Sequence, residues 1–410
     1  MRNIVRVAGI TLICAGAIPG GGVATAAVSR CPVGGTTIPA GAAIQTYLNA
    51  GAPGDAFCLE SGTYLPAKQV LPTQGQSLYG VPGETVIDGS ALASIFNGSQ
   101  DKPTDVTDVG LYDLIVQNAK SIDIRTNSGW VVDGVTAQGS GQYGIVVRGT
   151  GPVIRNSVVR NNDRFGISGG WSVDAVVQGN TVTNNNTGRN PPGYAGATHF
   201  TNVVGMQVLD NTFYANYGRG IWFDIDSADS LVSGNTVHDE IDYPYPTRTS
   251  PIGDGIRIEI SCRITVADNL VYANGGPQVA MDGADDSLVT GNTVTAPAGQ
   301  PGIRVAPQDD RTKEPLGGWK NCDRTLKTAV NDHVSGNDIT QTGNVSYSGV
   351  LQKKRTSDTS GTTFDADTYH VPSCTAQLWR WWNGTALVKV SFATLRDVYQ
   401  QELTGTCLTV

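Results

Sequence analysis

Three acidic residues recur at one offset from a repeated landmark. Asp224 lies four residues after Gly220, Glu259 four after Gly255, and Asp282 four after position 278. The residues one and three places after the landmark are apolar: Ile221 and Phe223, Ile256 and Ile258, Val279 and Met281, Ile303 and Val305. Side chains alternate faces along a strand, so these point inward and the second and fourth places point outward. The second places hold Trp222, Arg257, Ala280 and Arg304, and the fourth hold Asp224, Glu259, Asp282 and Ala306. His199 is expected to precede Trp222 in its column. If these strands are neighbours, successive carboxylates sit about 4.8 Å apart and the outer pair about 9.6 Å apart. Like charges that close repel and spread their pKa values, which suits proton transfer or a bound cation. The plain alternative is a solvated polar face.

What must position such a column is a repeat. Asn156, Asn180, Asn211, Asn235, Asn269, Asn292 and Asn337 head similar phrases, among them GNTVTNNN, DNTFYANY and GNTVHDEI. Their successive spacings are 24, 31, 24, 34, 23 and 45 residues. A step near 24 with inserted loops signals a solenoid. Between the asparagines a Gly-Ile pair recurs, at Gly144-Ile145, Gly166-Ile167, Gly220-Ile221, Gly255-Ile256 and Gly302-Ile303. Each rung thus holds three strands and no helix. The asparagines themselves read as structural, stacked at a turn where their amides bond along the ladder.

On these repeats residues 55–355 resemble the right-handed parallel β-helix family, which includes pectate-lyase-like and related carbohydrate-active proteins. The expected fold is therefore all-β, a single-stranded right-handed parallel β-helix solenoid with an N-terminal helical cap and a C-terminal hairpin and helix cap. The right hand is also the general rule for parallel crossovers. The expected division is a signal peptide over 1–26, a cap and first rungs over 31–100, the β-helix over 101–354, and a linker and cap over 355–410. A short helix is expected over 42–48. Residues 355–370 read as linker. Asn383-Gly384 marks a hairpin turn, Ser391 an N-cap for a helix over 392–403, and Trp379, Trp381 and Trp382 a cover for the core.

Composition narrows the class. The chain has 410 residues, 51 of them glycine, with a net charge of −8, against a nucleic-acid binder. Arg2 and Arg6, an apolar run over 7–18 and Ala24-Thr25-Ala26 form an export signal too short to span a membrane. An extracellular, disulfide-bonded protein is expected. Cys31, Cys58, Cys262, Cys322, Cys374 and Cys407 then remain, and proximity favours Cys31–Cys58, Cys262–Cys322 and Cys374–Cys407. Insertions at 185–197 and 239–253 flank the acidic column, offering Tyr194, Tyr243 and Tyr245 as groove walls. A third, at 308–328, carries Asp309, Asp310, Arg311 and Trp319.

The expected partner is a polysaccharide or oligosaccharide. Glycoside hydrolysis would use Glu259, between two carboxylates, as the acid and Asp224 or Asp282 as base or nucleophile. Trp222 would stack on a sugar, and Arg257, Arg304 and His199 would bind it, with no cofactor. The alternative is a calcium-dependent lyase or uronate epimerase. Asp224, Asp226, Glu259 and Asp282 would hold the ion, in a cluster similar to that of pectate lyases, with Arg257 or Arg304 taking the proton. A non-catalytic binding or adhesin-like β-helix is the third. Glu259→Gln is expected to abolish product formation under either enzymatic reading and to leave simple binding intact, as a product assay beside a binding assay would read.

Overall fold

The computed structural model describes residues 29–96, 105–194, 196–246, 252–308, 320–322, 329–342, 350–352 and 359–410. The expected signal peptide and most of the 308–328 insertion lie outside them. Among the described residues, strands stack into three sheets of 13, 13 and 12 strands, each pairing in parallel with its equivalent on the next coil except at the antiparallel hairpin that ends the third sheet. The chain is a right-handed parallel β-helix. Among these residues no helix is long and apolar enough to cross a membrane.

The coils are built from very short strands. Thr181–Thr183, Thr236–His238 and Thr265–Ala267 each bury one central valine and leave both neighbours half-exposed. One inward valine per strand, repeated coil after coil, makes a continuous core, at roughly 1.5–3 kcal/mol for each fully buried aliphatic side chain. The residue before each ladder asparagine turns the corner with positive φ, at Gly179, Asp210, Gly234, Asp268, Gly291 and Gly336. Glycine and aspartate tolerate that conformation, which explains the Gly/Asp-Asn signature.

At the corner, Asn180, Asn211, Asn235, Asn269, Asn292 and Asn337 form a fully buried ladder. Each side-chain carbonyl accepts both the backbone N–H and the amide N–H of the asparagine one coil earlier: Asn211 Oδ1 takes Asn180 N and Nδ2, both at 2.9 Å. Asn156 is one residue out of step. It pairs with the place of Gly179 and has φ +50°, while Ser157 occupies the ladder position and donates its N–H to Asn180. A second ladder runs along another corner, through Asn162, Asn185, Asn216, Glu240, Asn274 and Gln278.

The coil extends beyond the expected limits at both ends. Strands from Thr36–Ile38 onward already belong to the sheets, and the N-terminal helix is Ile44–Ala50. Past Lys354, Thr363–Asp365 and Thr368–Val371 are strands of the first two sheets, not linker. Asp367 stands in the asparagine position there, accepting from Asn337 N at 2.7 Å, and that exchange hides the repeat. Trp379–Trp382 and Leu387–Val390 form the expected antiparallel hairpin, and Ser391 caps a helix shorter than expected, Phe392–Asp397. Trp379 and Trp381 are buried in the core. The three cysteine pairs are those favoured by proximity, with Cα–Cα distances of 5.6, 5.8 and 5.9 Å.

Glu240 is the one acid in the second ladder's middle. Burial pushes its carboxyl well above the usual range, against hydrogen bonds from Asn216. Its contribution to stability is complete below the ordinary glutamate value and is lost as pH rises toward the raised folded value. Glu240→Gln supplies a neutral group of the same shape. Thermal melts across pH 4–8 should show the variant gaining on wild type as pH rises, by roughly 1–3 kcal/mol near neutrality.

Candidate active site

The third sheet carries the acidic column. Its strands Ile221–Asp224, Ile256–Glu259, Val279–Asp282 and Ile303–Ala306 pair in the register expected, Trp222 on Arg257, Arg257 on Ala280, and Glu259 on Asp282. On the coil before, Phe200 pairs with Phe223 and Thr201 with Asp224, which sets His199 beside Trp222. Inward Ile221, Phe223, Ile258 and Met281 lock the strands in the core, so the alternate side chains stand on the outer face.

That face is covered rather than open to water. Trp222, Asp224, Arg257, Glu259 and Asp282 are all buried. Arg257 is the hub: it bonds Asp254 Oδ2 through Nη1 at 2.9 Å, Glu259 Oε2 through Nε at 2.9 Å, and Asp282 Oδ2 through Nη2 at 2.8 Å. Arg304 donates to both oxygens of Asp282. Arg219 lies 3.4 Å from Asp254. Trp222 donates its indole N–H to Glu259 at 3.1 Å, and Gln308 donates to the other Glu259 oxygen. Three arginines thus face three carboxylates, Asp254, Glu259 and Asp282.

This network reverses the expected acidity of Glu259. Burial pushes its carboxyl up, but Arg257 and Arg219, with hydrogen bonds from Arg257 and Gln308, outweigh burial and hold it well below the usual carboxylate range. Glu259 is therefore an anion, not a proton donor. The like-charge argument counted carboxylates alone and left out the arginines between them. Asp254 is likewise held down, by Arg257 and Arg219 against its burial.

Trp222 and Arg257 also change roles. The Trp222 ring packs 4.0 Å from the His199 ring and 3.9 Å from the Arg219 guanidinium and is 1% exposed, so it supports the site instead of offering a sugar platform. Arg257 spends its donors on three carboxylates. His199 and Arg304 keep side-chain exposures of 17% and 22% and line the accessible surface. His199 Nε2 meets Asp224 Oδ2 at 3.2 Å, and Asp224 Oδ1 accepts the Ile225 N–H. The contact with the Asp224 carboxylate orients the imidazole ring and turns Nδ1 away from it.

The calcium set does not assemble. Asp226 turns away with φ +60° and accepts the N–H groups of Lys320, Asn321 and Cys322, pinning the loop that the Cys262–Cys322 bridge ties down. Guanidinium groups occupy the space between the other carboxylates. Among the described residues no group of three or more such ligands is arranged for a metal. Tyr243 is buried, its hydroxyl donating to Asn190 O, and Tyr245 packs on its cluster, so neither is a groove wall; Tyr194 is exposed under Arg164. Asp309, Asp310, Arg311 and Trp319 lie outside the described residues.

Three members of the network escaped the sequence reading: Arg219, Asp254 and Gln308. Arg219 and Asp254 each precede a landmark glycine, a column one place before the landmark that could have been read with the others. Gln308 comes from an insertion, with no register to place it.

The fold and this face define a right-handed parallel β-helix with a buried charged network on one sheet, edged by the accessible His199 and Arg304. Residues 120–294 match the family described as right handed beta helix region. No curated protein matches the chain significantly. Among solved structures, the A-module of the mannuronan C-5 epimerase AlgE4 of Azotobacter vinelandii is similar, with TM-score 0.61, 18% identity, and coverage of 80% of this chain and 89% of that one. The AlgE6 A-module of the same organism gives 0.59, 17%, 80% and 88%. The DFA-IIIase of Arthrobacter chlorophenolicus gives 0.53, 14%, 80% and 87%. At these identities the likeness is one of fold.

Removing the hub strands several buried carboxylates at once. Arg257→Leu is expected to destabilise the protein by about 3–5 kcal/mol, measured by denaturant unfolding at neutral pH. Glu259→Gln, which leaves the cation paired to Asp254 and Asp282, should cost distinctly less.

Proposed function

We propose that this chain is a carbohydrate-active enzyme that moves a proton on an acidic sugar of a polysaccharide, in the manner of a lyase or uronate epimerase. The observation that carries the reading is the His199–Asp224 pair at 3.2 Å, an oriented base beside the partly exposed Arg304. The similarity to mannuronan C-5 epimerases is consistent with it but extends only to the fold.

In this reading a uronate lies along the outer face of the third sheet. Arg304, anchored on Asp282, neutralises the sugar carboxylate, and neutralisation acidifies the adjacent C–H. His199 Nδ1 takes that proton, and Asp224 stabilises the imidazolium. Return of a proton from solvent to the opposite face of the carbon gives the epimer, with the imidazolium losing its proton to water. Departure of the glycosidic oxygen, which takes up a proton from the imidazolium or water, instead leaves a carbon–carbon double bond and cleaves the chain. Glu259 and Asp254 hold Arg257, and Arg257 holds Asp282. The three disulfides fit work in an oxidising, extracytoplasmic compartment.

Hydrolysis is the second reading, favoured by the direct pairing of Glu259 with Asp282. It needs one carboxyl kept protonated, which the ionised Glu259 does not supply.

Incubation with polygalacturonate, alginate and neutral glucans, followed by ultraviolet absorbance, proton NMR at C-5 and reducing-end assay, separates the readings. Wild type is expected to give an unsaturated product or an epimer. His199→Gln and Asp224→Asn should each lower turnover by about 10²–10⁴ with the fold retained. Reducing ends without unsaturation would select hydrolysis, and tight binding with no product the non-catalytic reading.

A further inference from the structure

The outer face of the third sheet continues beyond the acidic network. Counting back from Asp224, its column reads Thr201 and Gly170, then, across a register shift, Arg148. The shift is a bulge. Val147 pairs with Gly169 and Gly149 with Ser172, so one residue on Tyr143–Thr150 opposes two on Phe165–Val173. The extra residue is Trp171. It has φ +51° and stands 59% exposed, although exposed tryptophan has no reason of its own to adopt a left-handed backbone. Bulges re-aim side chains beside binding sites, and strain of this kind persists where function requires it.

Arg148 lies against this ring, its guanidinium 4.8 Å from the centroid. It donates through Nη1 to Gly170 O, but its Nε is buried without a hydrogen-bond partner. Burial and the neighbouring Arg125 guanidinium pull its pKa down to about 10. A carboxylate bound to the accessible part of this half-buried side chain would offset the repulsion between the two cations.

We propose that Trp171 and Arg148 form an outlying subsite for an acidic sugar unit, the ring stacking on the sugar face and the guanidinium holding its carboxylate. This rests on the functional reading above, since it places a second acidic unit of one polymer on the same face as the reacting one. Gly170 and Asp224 are two strand spacings apart, about 10 Å. The substrate is therefore an acidic polymer engaged over several units, and a dimer cannot span the reacting groups and the subsite together.

The test measures binding by titration calorimetry in the full chain carrying His199→Gln, so that no ligand is consumed. The probes are hexamers and dimers of galacturonate and mannuronate, with cellohexaose as the neutral control. Trp171→Gly and Arg148→Gln are each expected to weaken acidic hexamers about tenfold and to leave dimers within about twofold. Glycine suits the left-handed backbone, so Trp171→Gly should melt higher than its parent while binding more weakly. A ring kept for packing alone would not produce that opposition. The subsite is refuted by unchanged hexamer affinity, by equal losses for cellohexaose, or by the absence of acidic-hexamer binding in the parent. Failure of the catalytic reading shows separately, as activity that survives His199→Gln in a turnover assay.

Discussion

A buried side-chain amide that reaches one coil back and one coil forward is the constraint on which the rest of the molecule depends. Strands of three residues have too little backbone to specify their own pairing. The asparagine at each corner does that work. Its carbonyl takes two N–H groups of the previous coil, and its own amide donates to a backbone carbonyl further back, as Asn180 does to Ile154 and Asn211 to Val177. A slip of one residue would strand these groups in a dry corner and turn every valine outward. Spacings as long as 45 residues between ladder positions are absorbed because the next asparagine restores the register.

Given that register, the third sheet becomes a ruler for charge. Inward positions are spoken for by the core, so every alternate residue on successive coils lies one strand spacing from the next. Carboxylates at such spacing need cations among them, and arginine suits the task because one planar guanidinium can serve three acids from fixed directions. Arg257 does this for Asp254, Glu259 and Asp282. The consequence is a division of labour: the middle of the network is ionised, buried and rigid, and the groups left accessible at its margin are His199 and Arg304.

The same sheet shows where regularity gives way. From Ile221 to Ala306 it runs without a break in register. At Val147 to Gly149 it bulges, and the extra residue is an exposed tryptophan in a strained conformation beside an arginine with an unsatisfied nitrogen. Structure that departs from its own repeat points to selection for something other than stability.

Periodicity alone determined the solenoid, the three-strand coil, the alignment of Asp224, Glu259 and Asp282, and the place of His199 beside Trp222. Each depends on counting along the chain, and the ladder makes the count reliable. Where aspartate or glutamate replaces asparagine, as at Asp367 and Glu240, the count was lost, because the chemical equivalence of a buried acid and an amide is not visible in the letters. Only the tertiary structure decided protonation and accessibility. Arg219 and Gln308 reach Glu259's surroundings from other segments, loops bury Trp222 and Arg257, and Asp226 is turned to a distant loop. Those properties depend on everything within a few ångströms in three dimensions, whereas a column read from sequence records neighbours in one.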